Sequence, residues 1–269
     1  MTTAPGATVS RPAAPAAASP RHTRAFVTAA ASLVAVFAAS SAPIPVFNIY
    51  RAEDGLTTAD LSVSVVAYFG GTVVALLCLG RIANVVGSRP AALATLLVML
   101  AACLVLLDVT GLAVLVAGRV LMGLGAGMAS SALTTYIVDS APHEPAWLAT
   151  AVTSQAPMVG LTAGALASGT IVQYVPHARL VVYAVMAVLL LACVGLLLDS
   201  PETGRRTPGL VASLRPRVHV PPIARPLLPV AVSIYVATWA LGAFYQSFGV
   251  LALFGTVITV AWARDPRRA

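Results

Sequence analysis

Residues 180–198 read LVVYAVMAVLLLACVGLLL, nineteen positions without a charged side chain. An α-helix rises 1.5 Å per residue, so this stretch reaches across most of the roughly 30 Å hydrocarbon core of a bilayer. The whole chain has the same character, since 59% of its residues are hydrophobic and only 9% are charged, whereas soluble domains carry about 25% charged residues. The sequence therefore predicts an integral membrane protein.

Further apolar runs precede this one and are separated from it by polar breaks. They cover residues 25–46, 61–79, 91–107, 112–137 and 147–172. Backbone in lipid has to satisfy its own hydrogen bonds, so such runs form helices. We predict an all-α fold, a polytopic membrane bundle of six helices over residues 23–198, followed by one or two further spans.

The segments that flank the bundle are polar. Residues 1–22 are mostly Ala, Pro, Thr and Ser, which predicts a disordered tail. Its end, with Arg21 and Arg24 before an apolar run, is also typical of a signal peptide, but the long polar leader and the later spans favour a retained first helix. Residues 199–226 contain five arginines and eight prolines or glycines, so we interpret them as a linker.

The last apolar run, residues 227–263, has two interpretations. One straight helix would be about 55 Å long and would overshoot the bilayer core. A hairpin near Gln246–Gly249 would give two spans and return the arginines of the tail, residues 264–269, to the side of the linker. Charge placement favours the hairpin, although its second arm of roughly 14 residues is short for a span.

Arginine accounts for all sixteen basic residues and predicts the orientation of the bundle. Only Arg51 and Arg179 fall on one side of the predicted spans. The other side receives ten: Arg11, Arg21, Arg24, Arg81, Arg89, Arg205, Arg206, Arg215, Arg217 and Arg225. By the positive-inside rule, the N-terminus and the linker are cytoplasmic in a multi-pass protein of the cell inner membrane. This distribution favours the lipid bilayer over nucleic acid as the partner of the basic residues.

Four short motifs follow one another in the predicted bundle. Residues 80–93 read GRIANVVGSRPAAL, residues 119–127 read RVLMGLGAG, residues 160–165 read GLTAGA and residues 201–203 read PET. In this order they resemble the cytoplasmic loop motif, the fourth-helix arginine motif, the export-associated glycine element and the closing tripeptide of the major facilitator superfamily. Asn84, Met122 and Ala165 replace an acidic residue, a polar residue and a proline of the family pattern.

The resemblance implies a larger architecture than this chain can form. Members of the family have two bundles of six helices that rock around a central cavity, and this chain has room for one bundle and a remnant. We interpret residues 250–269 as the final helix and basic tail of a longer relative whose second half has been lost. The resemblance also implies a cytoplasmic gating loop that includes Gly80, Asn84, Gly87 and Arg89, with Asn84 in place of the acidic latch residue.

Candidate residues for a substrate or proton pathway lie inside the predicted spans. Arg119 is the one arginine within a span, where an ionisable group costs about 2.5–3.5 kcal/mol and normally faces the bundle interior or a wet cavity. Ser41, Tyr68, Gln155 and Gln246 are polar groups on helices that line the cavity in relatives. For each of these four residues, a purely structural role as a hydrogen bond between helices is an equally good interpretation. The structural alternative for Arg119 is a set of bonds to backbone carbonyls that holds helices together.

Two glycine pairs predict close helix packing. Gly123 with Gly127, and Gly160 with Gly164, each place two small residues on one helical face. No nucleotide-binding, metal-binding or hydrolytic motif accompanies them, so we predict that the chain is not an enzyme and needs no cofactor or metal.

Two hypotheses of function remain open. The first is a secondary transporter that moves a small solute, coupled to protons and in the direction of export. The second is a shortened bundle that transports nothing alone, either an inert fragment or an interaction subunit that forms a homo-oligomer or pairs with a partner half.

Overall fold

The computed structural model describes residues 20–142, 145–202 and 222–244, and every regular element within them is helical. Two π-helical turns span Ala75–Leu79 and Ala129–Leu133, and a 3₁₀ turn spans Pro222–Leu227. The helices are α1 Pro20–Ser41, α2 Pro43–Glu53, α3 Thr58–Val74, α4 Ile82–Val86, α5 Ser88–Val105, α6 Leu112–Met128, α7 Thr134–Ser140, α8 Leu148–Tyr174, α9 Ala178–Leu198 and α10 Leu228–Phe244. The predicted all-α fold is confirmed.

Five helical segments within the described residues are long and apolar enough to cross a membrane. They correspond to the predicted first, second, third, fourth and sixth spans: His22–Glu53, Thr58–Leu79, Ser88–Val105, Leu112–Ser140 and Ala178–Leu198. Large apolar side chains remain exposed along these segments, as on the second, where Val66, Phe69 and Val73 are exposed. Such faces suit contact with lipid, and the chain is a multi-pass membrane protein.

The predicted fifth span differs from the others. Residues 148–174 form one helix of 27 residues, α8, long enough to cross a bilayer. More than half of these residues are Ala, Gly, Ser or Thr, and α8 is not among the five segments apolar enough to qualify.

The first span is longer than expected and is broken. The sequence pattern ends it at Val46, yet α2 continues to Glu53 through the segment expected to be a polar loop. Pro43 starts α2 because a proline suits the first turn, where its missing N–H has no intrahelical role. The chain turns only at Gly55, which has a φ of 65° that glycine adopts without strain.

Helix pairing in the bundle follows a repeated pattern. The first span packs along the fifth (α1 with α8), and in the same way the fourth span packs along the second (α6 with α3). The first span also packs on the sixth (α1 with α9), as the fourth packs on the third (α6 with α5). α5 also packs against α9. The first three spans and the next three therefore use equivalent contacts, as expected of two three-helix repeats within one bundle.

Two ends of the bundle are distinguished by their charges. The end we call the basic end contains Arg24, Arg81 and Arg89, and the other, the opposite end, contains Arg51 and Arg179. α3 begins at the opposite end with a capping box, in which Thr57 accepts a hydrogen bond from the backbone of Asp60 and donates to its carboxylate.

α10 belongs to a second compact unit, which divides from the bundle after Pro216. The predicted hairpin near Gln246–Gly249 and the tail at residues 264–269 lie outside the described residues, as does most of the linker.

Candidate functional site

Arg119 is buried inside the bundle, about 10 Å along the fourth span from Leu112. Its side chain is 4% exposed. Nη1 donates a long hydrogen bond to the carbonyl oxygen of Ser40 at 3.4 Å and a weak one to the sulfur of Met122 at 3.9 Å. Nε is buried and has no hydrogen-bond partner. At least one of the five guanidinium donors is therefore unpaired.

Aromatic rings cover the guanidinium of Arg119. Its central carbon lies 4.8 Å from the ring centroid of Tyr68 and 5.7 Å from that of Phe47. Cation–π attraction at these distances offsets part of the cost of burying the charge. Both rings are themselves only partly buried. The three side chains form what we call the arginine cage: Arg119, Tyr68 and Phe47.

The backbone acceptor of Arg119 lies next to the helix break after Ser41. Pro43 and Pro45 lack an N–H, so the carbonyls of Ala39 and Ser41 lose the donors they would have in a regular helix. The carbonyl of Ser40 lies between these two and accepts the bond from Arg119. The hydroxyls of Ser40 and Ser41 instead bond back to carbonyls of their own helix, at 2.9 and 3.1 Å.

Close contact between α3 and α6 positions Tyr68 against Arg119. A Cβ at Gly123 would overlap the carbonyl oxygen of Tyr68, and a Cβ at Gly127 would lie 2.6 Å from the Cβ of Ala75. Only glycine allows the two backbones this separation, as the small-residue spacing predicted. The cage thus depends on glycines that do not themselves touch the guanidinium.

The second glycine pair holds α8 against α1. A Cβ at Gly160 would lie 2.5 Å from the carbonyl oxygen of Val34, and one at Gly164 would overlap the carbonyl of Ala38 and the hydroxyl of Ser41. Gln155, on the same helix, is exposed and takes no part in the cage. The structure therefore brings Tyr68 together with Arg119 but leaves Gln155 apart.

The predicted gating loop lies at the basic end. Gly80 follows the π-helical turn, Asn84 is in α4, and Gly87 has a φ of 108°, which favours glycine. A Cβ at Gly87 would meet the carboxylate of Glu202 at 2.8 Å. Glu202 also accepts a hydrogen bond from the backbone N–H of Arg89 at 3.3 Å.

The Arg89 side chain ties this loop to the end of α9. Nε donates to the carbonyl oxygen of Leu197 at 3.1 Å, and Nη2 donates to that of Leu198. A cation at a helix C-terminus satisfies orphan carbonyls and complements the helix dipole. The loop between the second and third spans is thereby attached to the sixth.

Further polar contacts connect the basic end to α7 and α1. Ser88 Oγ donates to Asp139 at the end of α7 at 2.7 Å, and Tyr136 donates to the carbonyl oxygen of Pro201 at 2.6 Å. Arg24 forms an exposed ion pair with Asp199 at 2.5 Å. Ser88, which replaces a basic residue of the family loop motif, therefore still has an acidic partner.

The opposite end is held by two polar pairs that sequence reasoning missed. Arg179 donates from Nη1 to both carboxylate oxygens of Asp54, at 3.1 and 2.8 Å. The hydroxyls of Tyr50 and Tyr183 lie 2.8 Å apart in the core. A signal was available, because Asp54 and Arg179 are opposite charges at the same predicted end of two spans, and Tyr183 is a polar group in an apolar run.

Phe47 was also missed, because an apolar ring beside a predicted loop has no distinguishing pattern. Gln246, the remaining candidate, lies outside the described residues.

The family model described as Major Facilitator Superfamily matches residues 16–264. Among curated proteins, none matches the chain.

Proposed function

Since this chain belongs to the major facilitator superfamily, a family of transporters, we propose that it moves a small solute across the cell inner membrane, coupled to protons. The proposed direction is export, because residues 160–165 resemble the export-associated element of the family.

The arginine cage is the observation that carries this proposal. A charge buried among the first, second and fourth spans is expensive in a membrane and is normally retained for transport. Arg119 contacts Ser40 and Phe47 of the first span, Tyr68 of the second and Met122 of its own. Small rotations of these helices against one another would change which groups the guanidinium meets.

We further propose that the loop of Gly80, Asn84, Gly87 and Arg89 is cytoplasmic and couples helix movements at that face. Its bonds to Leu197, Leu198 and Glu202 support this role, because a shift of the third span would pull on the sixth. The cluster of arginines at this end supports the cytoplasmic orientation.

A second candidate is a bundle that requires a partner half, either a second copy of the chain or another protein. The exposed polar residues of α8 favour it. Ser154, Gln155 and Thr162 are exposed on a helix of spanning length, and polar side chains facing lipid are unfavourable. A second bundle or a water-filled path against this face would remove that cost.

Flux in proteoliposomes tests the proposal. The purified chain is reconstituted with an imposed pH gradient, and uptake of radiolabelled organic solutes is compared with that of the Arg119→Ala variant. We expect solute-dependent flux that Arg119→Ala reduces at least tenfold, while the exposed Arg51→Ala control retains it. Right-side-out and inverted vesicles then give the direction.

Absence of flux for every solute class would contradict transport by this chain alone. Crosslinking of a cysteine at Gln155 to a second copy, with flux appearing only in the crosslinked sample, would establish the second candidate.

A further inference from the structure

The unpaired guanidinium of Arg119 indicates a missing negative charge. Buried charges in proteins are normally paired, and an unsatisfied buried donor on a charged group is costly. Nε has no partner, and Nη1 reaches only a carbonyl at 3.4 Å and a thioether at 3.9 Å. None of these acceptors carries a negative charge.

Carboxylates of the described residues are engaged elsewhere or lie on the surface. Of the seven, Asp54 binds Arg179, Asp199 binds Arg24, Asp139 accepts from Ser88, Asp60 caps α3, Glu202 accepts from Arg89, and Glu53 and Asp108 are exposed. Within residues 20–142, 145–202 and 222–244, no acidic group forms an ion pair with Arg119. The described part of the chain therefore supplies no counter-charge to Arg119.

The shape of the free edge selects a carboxylate. Nη1 makes the bonds to Ser40 and Met122, so Nε and the other terminal nitrogen present a second edge of the planar guanidinium. Two parallel N–H donors on one edge match the two oxygens of a carboxylate. A single arginine supplies one positive charge, which suits a monovalent anion better than phosphate or sulfate.

The rings of the cage select an organic anion and offer a way in. Phe47 and Tyr68 provide apolar faces beside the guanidinium, and both are partly exposed although Arg119 is buried. The two rings are therefore the accessible part of the cage. An inorganic anion would gain nothing from these faces.

We propose that Arg119 anchors a binding site for a small organic monocarboxylate, with Phe47 and Tyr68 against the apolar part of the ligand. This inference rests on the proposed transport function for its biological meaning, since such a ligand would be the solute. The binding itself is testable without any transport assay.

Thermal unfolding of the purified chain in nanodiscs tests the site. Acetate and benzoate are the probes, acetamide and benzamide are neutral counterparts of the same shape, and chloride and sulfate are inorganic controls at matched ionic strength. We expect a saturable rise in Tm, on the order of 5 °C at a hundredfold excess over Kd, with the carboxylates only. Equal shifts with the amides, or with chloride and sulfate, would overturn the assignment.

Variants separate binding from folding. Arg119→Gln should abolish the carboxylate shift, and its ligand-free Tm should equal or exceed that of the parent, because an unpaired buried charge has been removed. The exposed Arg51→Gln serves as the matched control and should retain the shift. A carboxylate shift that persists in Arg119→Gln would overturn the site.

The two proposals fail separately. If carboxylates bind in nanodiscs but no flux appears in proteoliposomes, the binding site is supported and transport by this chain is refuted. Flux of a neutral or cationic solute without carboxylate binding would retain transport and refute the site.

Discussion

Arg119 shows how a single residue acquires its properties from its neighbours. The free-energy cost of placing Arg119 in a membrane follows from its side chain alone. Its contacts, however, depend on a carbonyl of the broken first helix and on two rings from different spans. The glycines at the helix contacts are equally specific, because an added Cβ at Gly123, Gly127, Gly160 or Gly164 would collide with a neighbouring backbone or side chain.

Substitution of Gly123 by alanine tests this close contact at the residue scale. The added Cβ would overlap the carbonyl oxygen of Tyr68, so α3 and α6 must separate. Overpacking of this kind costs about 1–3 kcal/mol, and we expect a lower Tm in detergent and weaker carboxylate binding.

Gly195→Ala is the matched control for this substitution. Gly195 lies inside α9, and an added Cβ there has nothing within 4 Å. Alanine is the better helix former by about 1 kcal/mol, so this variant should be neutral or slightly stabilised. If Gly123→Ala proved as stable as Gly195→Ala, the close contact between α3 and α6 would be refuted.

At the scale of elements, the partly buried pair of Asp54 and Arg179 fastens α2 to α9. The two side chains are 17% and 24% exposed, so the pair is only partly screened by solvent. Arg179→Gln leaves the carboxylate without its partner, and we expect a loss of about 1–2 kcal/mol of stability.

A double-mutant cycle with Asp54→Asn measures the coupling between the two residues. The double variant should be more stable than the sum of the single losses predicts, because neither charge is left unpaired. Arg51→Gln, at an exposed position of the same end, should leave Tm within 1 °C or so of the parent. Strict additivity of the two single losses would show that the pair contributes nothing.

Arg89 performs the equivalent task at the basic end, where it joins a loop to the end of α9. Arg89→Ala removes both bonds to the carbonyls of Leu197 and Leu198. We expect amides of residues 80–87 to exchange with deuterium on the order of tenfold faster. Arg81→Ala, also in this loop but exposed, should leave exchange unchanged. Equal exchange in both variants would exclude a fastening role for Arg89.

At the scale of the whole molecule, the proposed orientation rests on the distribution of arginines, and cysteine labelling can measure it. Cys78, Cys103 and Cys193 are first replaced by alanine. An impermeant maleimide should then label Arg51→Cys in intact cells, but should label Arg81→Cys only after permeabilisation. Both positions are exposed, so accessibility within the bundle does not differ. The reverse pattern would invert the proposed topology.

The repeated pairing of three spans with the next three is another whole-molecule property. It makes α8 the counterpart of α3, and both helices expose large apolar side chains, Val66 and Phe69 on α3 and Val159 and Leu166 on α8. On α8, serine, glutamine and threonine are exposed as well. We therefore expect lipid against the exposed apolar side chains of both helices and a polar environment against the exposed polar side chains of α8.

Much of this protein can be predicted without coordinates. The all-helical fold, the approximate bounds of most spans and the membrane location follow from apolar runs, because the bilayer imposes one length and requires internal backbone hydrogen bonding. The family follows from the order of four short motifs, and its model matches residues 16–264. Close packing at Gly123 and Gly160 also follows from spacing alone, since two small residues one turn apart share a face.

Other properties depend on which helices meet, and spacing along one helix carries no such information. The sequence marked Arg119 as costly, but only the fold brings Phe47 and the carbonyl of Ser40 to it from the first span. The pairs of Tyr50 with Tyr183 and Asp54 with Arg179 join residues more than 120 positions apart. Their partners were decided by tertiary packing, because a hydrogen bond requires atoms within about 3 Å, and only the assembled bundle determines which atoms come that close.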